Sequence, residues 1–194
     1  MTLLVGLTGG MAAGKSEALL AFSEAGAETL STDEVVHGLL ATDAVREELA
    51  ARWGEDILDA GEVDRAAVAE RVFADPEELA WMEALLHPMV GREVAAWRTR
   101  LDEAVPLAVV EVPLLFESGM DEAFDTTVAI VTGEAERDRR LAERDGAATE
   151  GREGRQLSQE QKAERADHVI ENDGSLADLR SAVAALASSL SGSA

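Results

Sequence analysis

Early in the chain, Gly9-Gly10-Met11-Ala12-Ala13-Gly14-Lys15-Ser16 matches G-x-x-x-x-G-K-[ST] without a gap, and no other feature constrains the fold as tightly. The apolar run Leu3–Leu7 precedes it, and the helix-forming stretch EALLAFSEAG, beginning at Glu17, follows it. A strand that turns through such a loop into a helix aims successive backbone N–H groups, and the positive end of the helix, at an anion. Gly10, Met11, Ala12, Ala13, Gly14, Lys15, Ser16 and Glu17 are therefore the candidate contacts to the phosphates of a nucleotide. Lys15 is expected to reach the β- and γ-phosphates as a point charge, and the Ser16 hydroxyl to ligate Mg²⁺. A glycine-rich turn that binds nothing has the same pattern. The flanking strand and helix, and the use of one of only two lysines (Lys15 and Lys162), favour nucleotide binding.

A loop of this kind belongs in an α/β fold, and the rest of the chain agrees. Short apolar runs predict strands at Leu3–Leu7, Ala27–Leu30, Leu107–Val112, Thr127–Val131 and His168–Ile170, alternating with helical patterns. LAVVEV and TVAIV are continuous rather than alternating, as in strands covered on both faces. Between Val35 and Leu101 no strand is expected. Val45, Leu49 and Trp53 recur at helical spacing, as do Val68 with Val72, and then Leu79, Met82, Leu85 and Leu86. The expected plan is a three-layer α/β/α core with a parallel five-stranded sheet over 1–34 and 102–194, and a helical insertion over 35–101. Leu176, Leu179, Val183 and Leu186 mark a final helix packed on the sheet.

Composition narrows the function. The chain has 194 residues, 46% of them hydrophobic, enough for one domain with a real core. A formal net charge of -22 argues against nucleic acid and anionic membranes as partners. No apolar run is long enough to span a bilayer, and the opening MTLLVGLTGG reads as a strand rather than a signal peptide. Cysteine is absent, which fits a cytoplasmic location. Eight of the seventeen basic residues fall between Arg137 and Arg165. They meet an anionic ligand or, with Glu134, Glu136, Asp138 and Glu143 interleaved, form a salt-bridged solvated helix. Arg137, Arg140 and Arg144 share one helical face.

A GTPase would carry Asn-Lys-x-Asp, which is absent. A motor or transporter ATPase would end a strand in Asp-Glu, where this chain has Glu111-Val112-Pro113. A small-molecule kinase remains. The motifs then resemble the dephospho-CoA kinase family from end to end. They are Gly6-Leu7-Thr8-Gly9-Gly10 with the phosphate loop, Asp33 after the second strand, His87-Pro88, Val112-Pro113-Leu114-Leu115-Phe116-Glu117, Arg140-Leu141, Arg144-Asp145, Arg152, Gln156-Leu157-Ser158, Lys162, Ala166-Asp167 and Asn172. Two positions depart from the family pattern: Ser31-Thr32-Asp33 stands for Asp-x-Asp, and Glu111 stands for an Asp.

The resemblance implies an enzyme that uses ATP and Mg²⁺ to phosphorylate the 3′-hydroxyl of dephospho-CoA, in the last step of coenzyme A biosynthesis. It also implies a CoA-binding role for the helical insertion and an arginine-bearing lid over 134–156. Asp33 becomes the candidate general base. By spacing alone it is as well explained by Ser31-x-x-Glu34, which has the form of a capping box. Lys15 and Arg140 are the other catalytic candidates, and Arg144 and Asn172 complete the nucleotide contacts. Thr8, Asp33, His87, Pro113, Leu114 and Arg140 are the acceptor contacts. Glu111, at a strand end, either holds the metal through water or pairs with Lys15 or a backbone group. On their own residues, His87-Pro88 reads as a helix-breaking turn, Asn172-Asp173-Gly174 as a turn before the last helix, and Trp53, Trp81 and Trp97 as core or as an apolar pocket. His37 and His168 lack metal-ligand spacing. A monomer or weak homo-oligomer is expected. The rival readings are another nucleoside or nucleotide kinase and an ATP-binding regulator without turnover.

Overall fold

The computed structural model describes residues 2–143 and 156–192. The chain falls into two compact units, Met1–Ser31 with Arg100–Ala194, and Thr32–Thr99. In chain order the first unit opens with β1 (Leu3–Gly9), α1 (Lys15–Glu24) and β2 (Glu28–Ser31). The second holds α2 (Thr32–Leu40), α3 (Asp43–Trp53), β3 (Leu58–Asp59), β4 (Glu62–Val63), α4 (Arg65–Ala74) and α5 (Pro76–Thr99). The first then resumes with β5 (Leu107–Glu111), β6 (Thr126–Val131), α6 (Glu134–Glu143), α7 (Gln159–Arg165), β7 (His168–Glu171) and α8 (Leu176–Ser191).

The five predicted strands form one sheet, parallel throughout, in the order β2-β5-β1-β6-β7. β5 is buried along its whole length and β1 from Leu4 onward, as their continuous apolar sequences require. Alternation assigns the faces of β1. Val5 and Leu7 enter a core cluster with Ala18, Phe22, Leu179 and Val183, so α1 and α8 cover that side. Gly6 and Thr8 point the other way, toward Leu115, Phe124 and α7. Ser175 starts α8 with a full capping box, its hydroxyl accepting from the Asp178 N–H and the Asp178 carboxylate accepting from the Ser175 N–H. The strand order reverses direction at β1. In open parallel sheets ligands bind beyond the carboxyl ends of the strands at such a switch point. Here that is the end of β1, where the glycine-rich loop begins.

The helical unit departs from expectation in three places. A two-residue hairpin, Leu58–Asp59 with Glu62–Val63, stands where no strand was expected. Strands of two residues show no alternation to read, and the turn is closed by Ala60 and Gly61, both at positive φ (50° and 86°). His87-Pro88 does not break the helix: α5 runs from Pro76 to Thr99 with Pro88 inside it. Pro88 and Ala84, whose carbonyl loses its partner, are both exposed, so water replaces the missing bond. Finally, the unit starts at Thr32, so Asp33 belongs to it and not to the sheet unit. Trp53 and Trp81 meet edge to face at 5.2 Å, and Glu78 accepts from Trp53 Nε1 (2.7 Å) and from Arg52, which fits the core reading of these two tryptophans.

Candidate phosphoryl-transfer site

The loop from Gly9 to Gly14 is shaped by close approach. A side chain at Gly9 would collide with the Ile130 carbonyl, and one at Gly14, with φ 96°, would collide with the Asn172 amide. Ala12 is held at φ 58°, a left-handed conformation costing about 1–2 kcal/mol for a non-glycine residue. Strain of that kind persists where the surroundings enforce it. They do so here. Asn172 is buried, and its Nδ2 donates to the Ala13 carbonyl at 2.7 Å. Arg140 Nη2 donates to the Asn172 carbonyl at 2.9 Å, and its Nη1 reaches the Ala12 carbonyl at 3.5 Å. Thus Arg140 and Asn172, 32 positions apart in sequence, are both fixed against the loop.

Past the loop, α1 begins at Lys15, and the first N–H groups of a helix have no acceptor within it, the arrangement that can receive an anion. Lys15 Nζ donates to the Gly10 carbonyl at 3.0 Å, folding the ammonium over the loop. Ser16 and Glu17 are exposed, and Met11 is half-buried. Glu111 is buried at the carboxyl end of β5, in register with Leu7 of β1 and Ser31 of β2.

Within α6 the salt-bridged reading of the basic segment is the one the contacts display. Glu136 accepts from Arg139 (2.6 Å) and from Arg140 Nε (2.8 Å), so this stretch is salt-bridged as the interleaved charges suggest. Its carboxyl is held at about 2, chiefly by the Arg139 hydrogen bonds, with burial opposing and Arg140 assisting. Arg140 nevertheless turns its remaining nitrogens to the loop. Arg144, Arg152 and Arg155 lie outside the described residues.

Thr8, the last residue before the loop, is fully buried, and its hydroxyl donates to the Pro113 carbonyl at 3.3 Å. Pro113 and Leu114, half-buried, open the turn that leaves β5. In the helical unit, Asp33 is exposed in the first turn of α2, and His87 is exposed on α5.

The family model for dephospho-CoA kinase matches residues 3–178. The chain belongs to the dephospho-CoA kinase family. A relative of that name from Thermus thermophilus is 36% identical over 99% of this chain and 94% of its own length. Another, from Protochlamydia amoebophila, is 34% identical over 91% and 90%. Among solved structures, TT1252 from Thermus thermophilus superposes with a TM-score of 0.82 at 36% identity, over 97% of this chain and 98% of its own. A dephospho-CoA kinase from Campylobacter jejuni gives 0.74 at 26%, over 100% and 99%. A shikimate kinase from Bacteroides thetaiotaomicron, at 18% identity and 0.53, over 97% and 98%, shares the fold.

Against the family motifs, the structure adds residues to which sequence reasoning gave no role. Lys162, in α7, has no exposed surface. Its ammonium donates to the Pro113 carbonyl (2.6 Å) and pairs with Glu117 Oε1 (3.0 Å), with Thr8 Oγ1 at 3.5 Å. Burial lowers its proton affinity, and Glu117 partly restores it. Gln159 grips Thr132 with both ends of its amide, accepting from the N–H (2.9 Å) and donating to the carbonyl (3.0 Å). Its stem packs where a side chain on Gly10 would go. Two signals marked Lys162, its place in the motif series and composition: with seventeen basic residues and only two lysines, a lysine outside the phosphate loop is conspicuous.

Proposed function

We propose that the chain is an ATP-dependent dephospho-CoA kinase, transferring the γ-phosphoryl group of ATP to the 3′-hydroxyl of the acceptor ribose to give coenzyme A and ADP. One observation carries this: a complete phosphate loop at the carboxyl end of the central strand, in a chain that the dephospho-CoA kinase family matches over residues 3–178. The acceptor oxygen forms the new bond to the γ-phosphorus, and the bond to the β–γ bridging oxygen breaks. The hydroxyl proton passes to the Asp33 carboxylate, which also orients the attacking oxygen. Lys15 and the loop N–H groups hold the donor phosphates. Arg140, steadied by Glu136 and Asn172, neutralises charge on the transferring group. Thr8, Pro113, Leu114 and His87 are assigned to the acceptor, and Arg144 and Asn172 to the nucleotide.

The donor set beside the loop is one hydroxyl, Ser16, with the Glu111 carboxylate at the end of β5. That suits Mg²⁺, which takes one or two protein ligands and completes its shell with phosphates and water. Bound there, Mg²⁺ would neutralise phosphate charge. We further assign the protein to the cytoplasm, as a monomer or weak homo-oligomer, with neither nucleic acid nor membrane as partner. Among the described residues no helix is long and apolar enough to cross a membrane.

The test is to incubate the protein with Mg-ATP and dephospho-CoA and to resolve the CoA species by chromatography, with a panel of nucleosides and nucleotides as competing acceptors. Coenzyme A as the dominant product is the expected result. ATP binding without product, or preference for another acceptor, defeats the assignment.

A further inference from the structure

Lys162 is a fully enclosed cation that the reaction as written does not use. It and Glu111 are the only charged side chains buried among the described residues. An ammonium carries three donors, and here each has a direction: Pro113 O at 2.6 Å, Glu117 Oε1 at 3.0 Å and Thr8 Oγ1 at 3.5 Å. Thr8 donates in turn to the same Pro113 carbonyl at 3.3 Å. Glu117 Oε1 also accepts from the Leu157 N–H at 2.8 Å, while Oε2 is buried with no partner among the described residues. These contacts close a ring through three segments far apart in sequence: the end of β1, the turn after β5 and the N-terminal part of α7. The ring stands on the sheet face opposite α1 and α8, one residue before Gly9.

Stability does not explain such an arrangement. An apolar pair of the same volume holds a fold as well as a buried ion pair, or better. An apolar pair cannot fix the directions of a hydroxyl, a carbonyl and a carboxylate together. An arginine cannot do so in this enclosure either, because its planar fork is wider and its donors lie in one plane. In a chain where fifteen of the seventeen basic residues are arginine, lysine stands where only a compact ammonium fits.

We infer that Lys162 is a positioning residue for phosphoryl transfer, holding Thr8 and the Pro113–Glu117 turn against each other so that the acceptor side of the phosphate loop keeps its geometry. The inference rests on the kinase reading above, since it presumes that Thr8 and Pro113 serve the acceptor. Lys162 touches no reacting atom in this scheme. It acts through Thr8 and Pro113.

The experiment uses the full chain with Lys162→Met combined with Glu117→Gln, so that no buried charge is left alone, with Thr8→Val, and with all three together. Three readouts are taken under conditions where each variant is folded: kcat for coenzyme A formation, ATP affinity, and backbone amide exchange. Displacing a supporting contact by about 1 Å typically costs about 10²-fold in rate, so the Lys162→Met/Glu117→Gln chain is expected to lose kcat on that order while its ATP affinity holds. Exchange should quicken at residues 114–118 and stay unchanged in α8. Thr8→Val should lose rate alone and add little in the triple variant, because the two act through one ring. Wild-type kcat with unchanged exchange in the paired variant overturns the inference, as does full additivity with Thr8→Val. If the paired variant does not fold, Thr8→Val decides: unaltered kcat and unaltered exchange at 114–118 overturn the inference. A wild-type chain that makes no coenzyme A strikes the kinase reading and, with it, the role in phosphoryl transfer; faster exchange at 114–118 in the variant then supports only the hold of the ring on the turn after β5.

Discussion

The sheet unit and the helical unit hold their polar residues in opposite ways. In the sheet unit, side chains around the phosphate loop are tied into the fold by contacts of long sequence separation: Asn172 to Ala13, Lys162 to Pro113, Gln159 to Thr132 and Arg140 to Ala12. In the helical unit, Asp33, His37 and His87 stand exposed, and the buried positions other than Thr32 are apolar. A residue of the first kind holds the structure together, so where it also serves the proposed reaction its loss should be felt twice. A residue of the second kind can be removed with the fold intact. Mutational effects on rate and on stability should therefore separate by unit.

The sharpest break of that comparison is at Asp33. Asp33→Asn should lower kcat by about 10²- to 10⁴-fold, the range typical of a lost general base. Its denaturation midpoint should match the wild type, because surface changes away from special features stay within about 0.5 kcal/mol. A fall in stability to match the fall in rate would remove the distinction. Arg140→Ala comes next, at about 10²- to 10³-fold in kcat, the usual cost of one donor to developing charge. Here stability should fall too, since the carbonyl of buried Asn172 loses its guanidinium donor. Asn172→Ala frees the buried Ala13 carbonyl, and by denaturant titration should cost about 1–3 kcal/mol. His87→Ala, by contrast, should leave stability within about 0.5 kcal/mol.

The smallest effect is one of pH. Glu136 has its carboxyl depressed from 4.5 to about 2, so the order it lends α6 is complete above about 4.5 and is lost as pH falls through about 2. Amide exchange in α6, followed across that window in wild type and Glu136→Gln, should rise only in the wild type.

Legibility in the sequence divides along related lines. LAVVEV and TVAIV announced buried strands because both faces are covered, and the phosphate loop announced itself by spacing. Asn172 could be named from motif resemblance, but its grip on the Ala13 carbonyl depends on which strand ends lie together, which no local pattern encodes. The Leu58–Val63 hairpin is too short for periodicity. Pro88 misled because the usual penalty of an internal proline is small where the freed carbonyl meets water. Lys162 pairs with Glu117, 45 positions away; motif resemblance and the scarcity of lysine marked the residue, and neither gave the pairing.

The order of the sheet also sets a timetable. β1 and β2 come first in the chain yet are not neighbours; β5 lies between them, and on its other side β1 pairs with β6. Glu28 meets its partner Ala108 only 80 positions later. As the chain is synthesised, the strand that carries the phosphate loop therefore waits without a partner while all of the helical elements from Thr32 to Thr99 emerge, and closure across that interval must be won before any ladder forms. The loop that is written first is assembled late, and an apolar strand left waiting is where this protein, while still incomplete, is most open to aggregation.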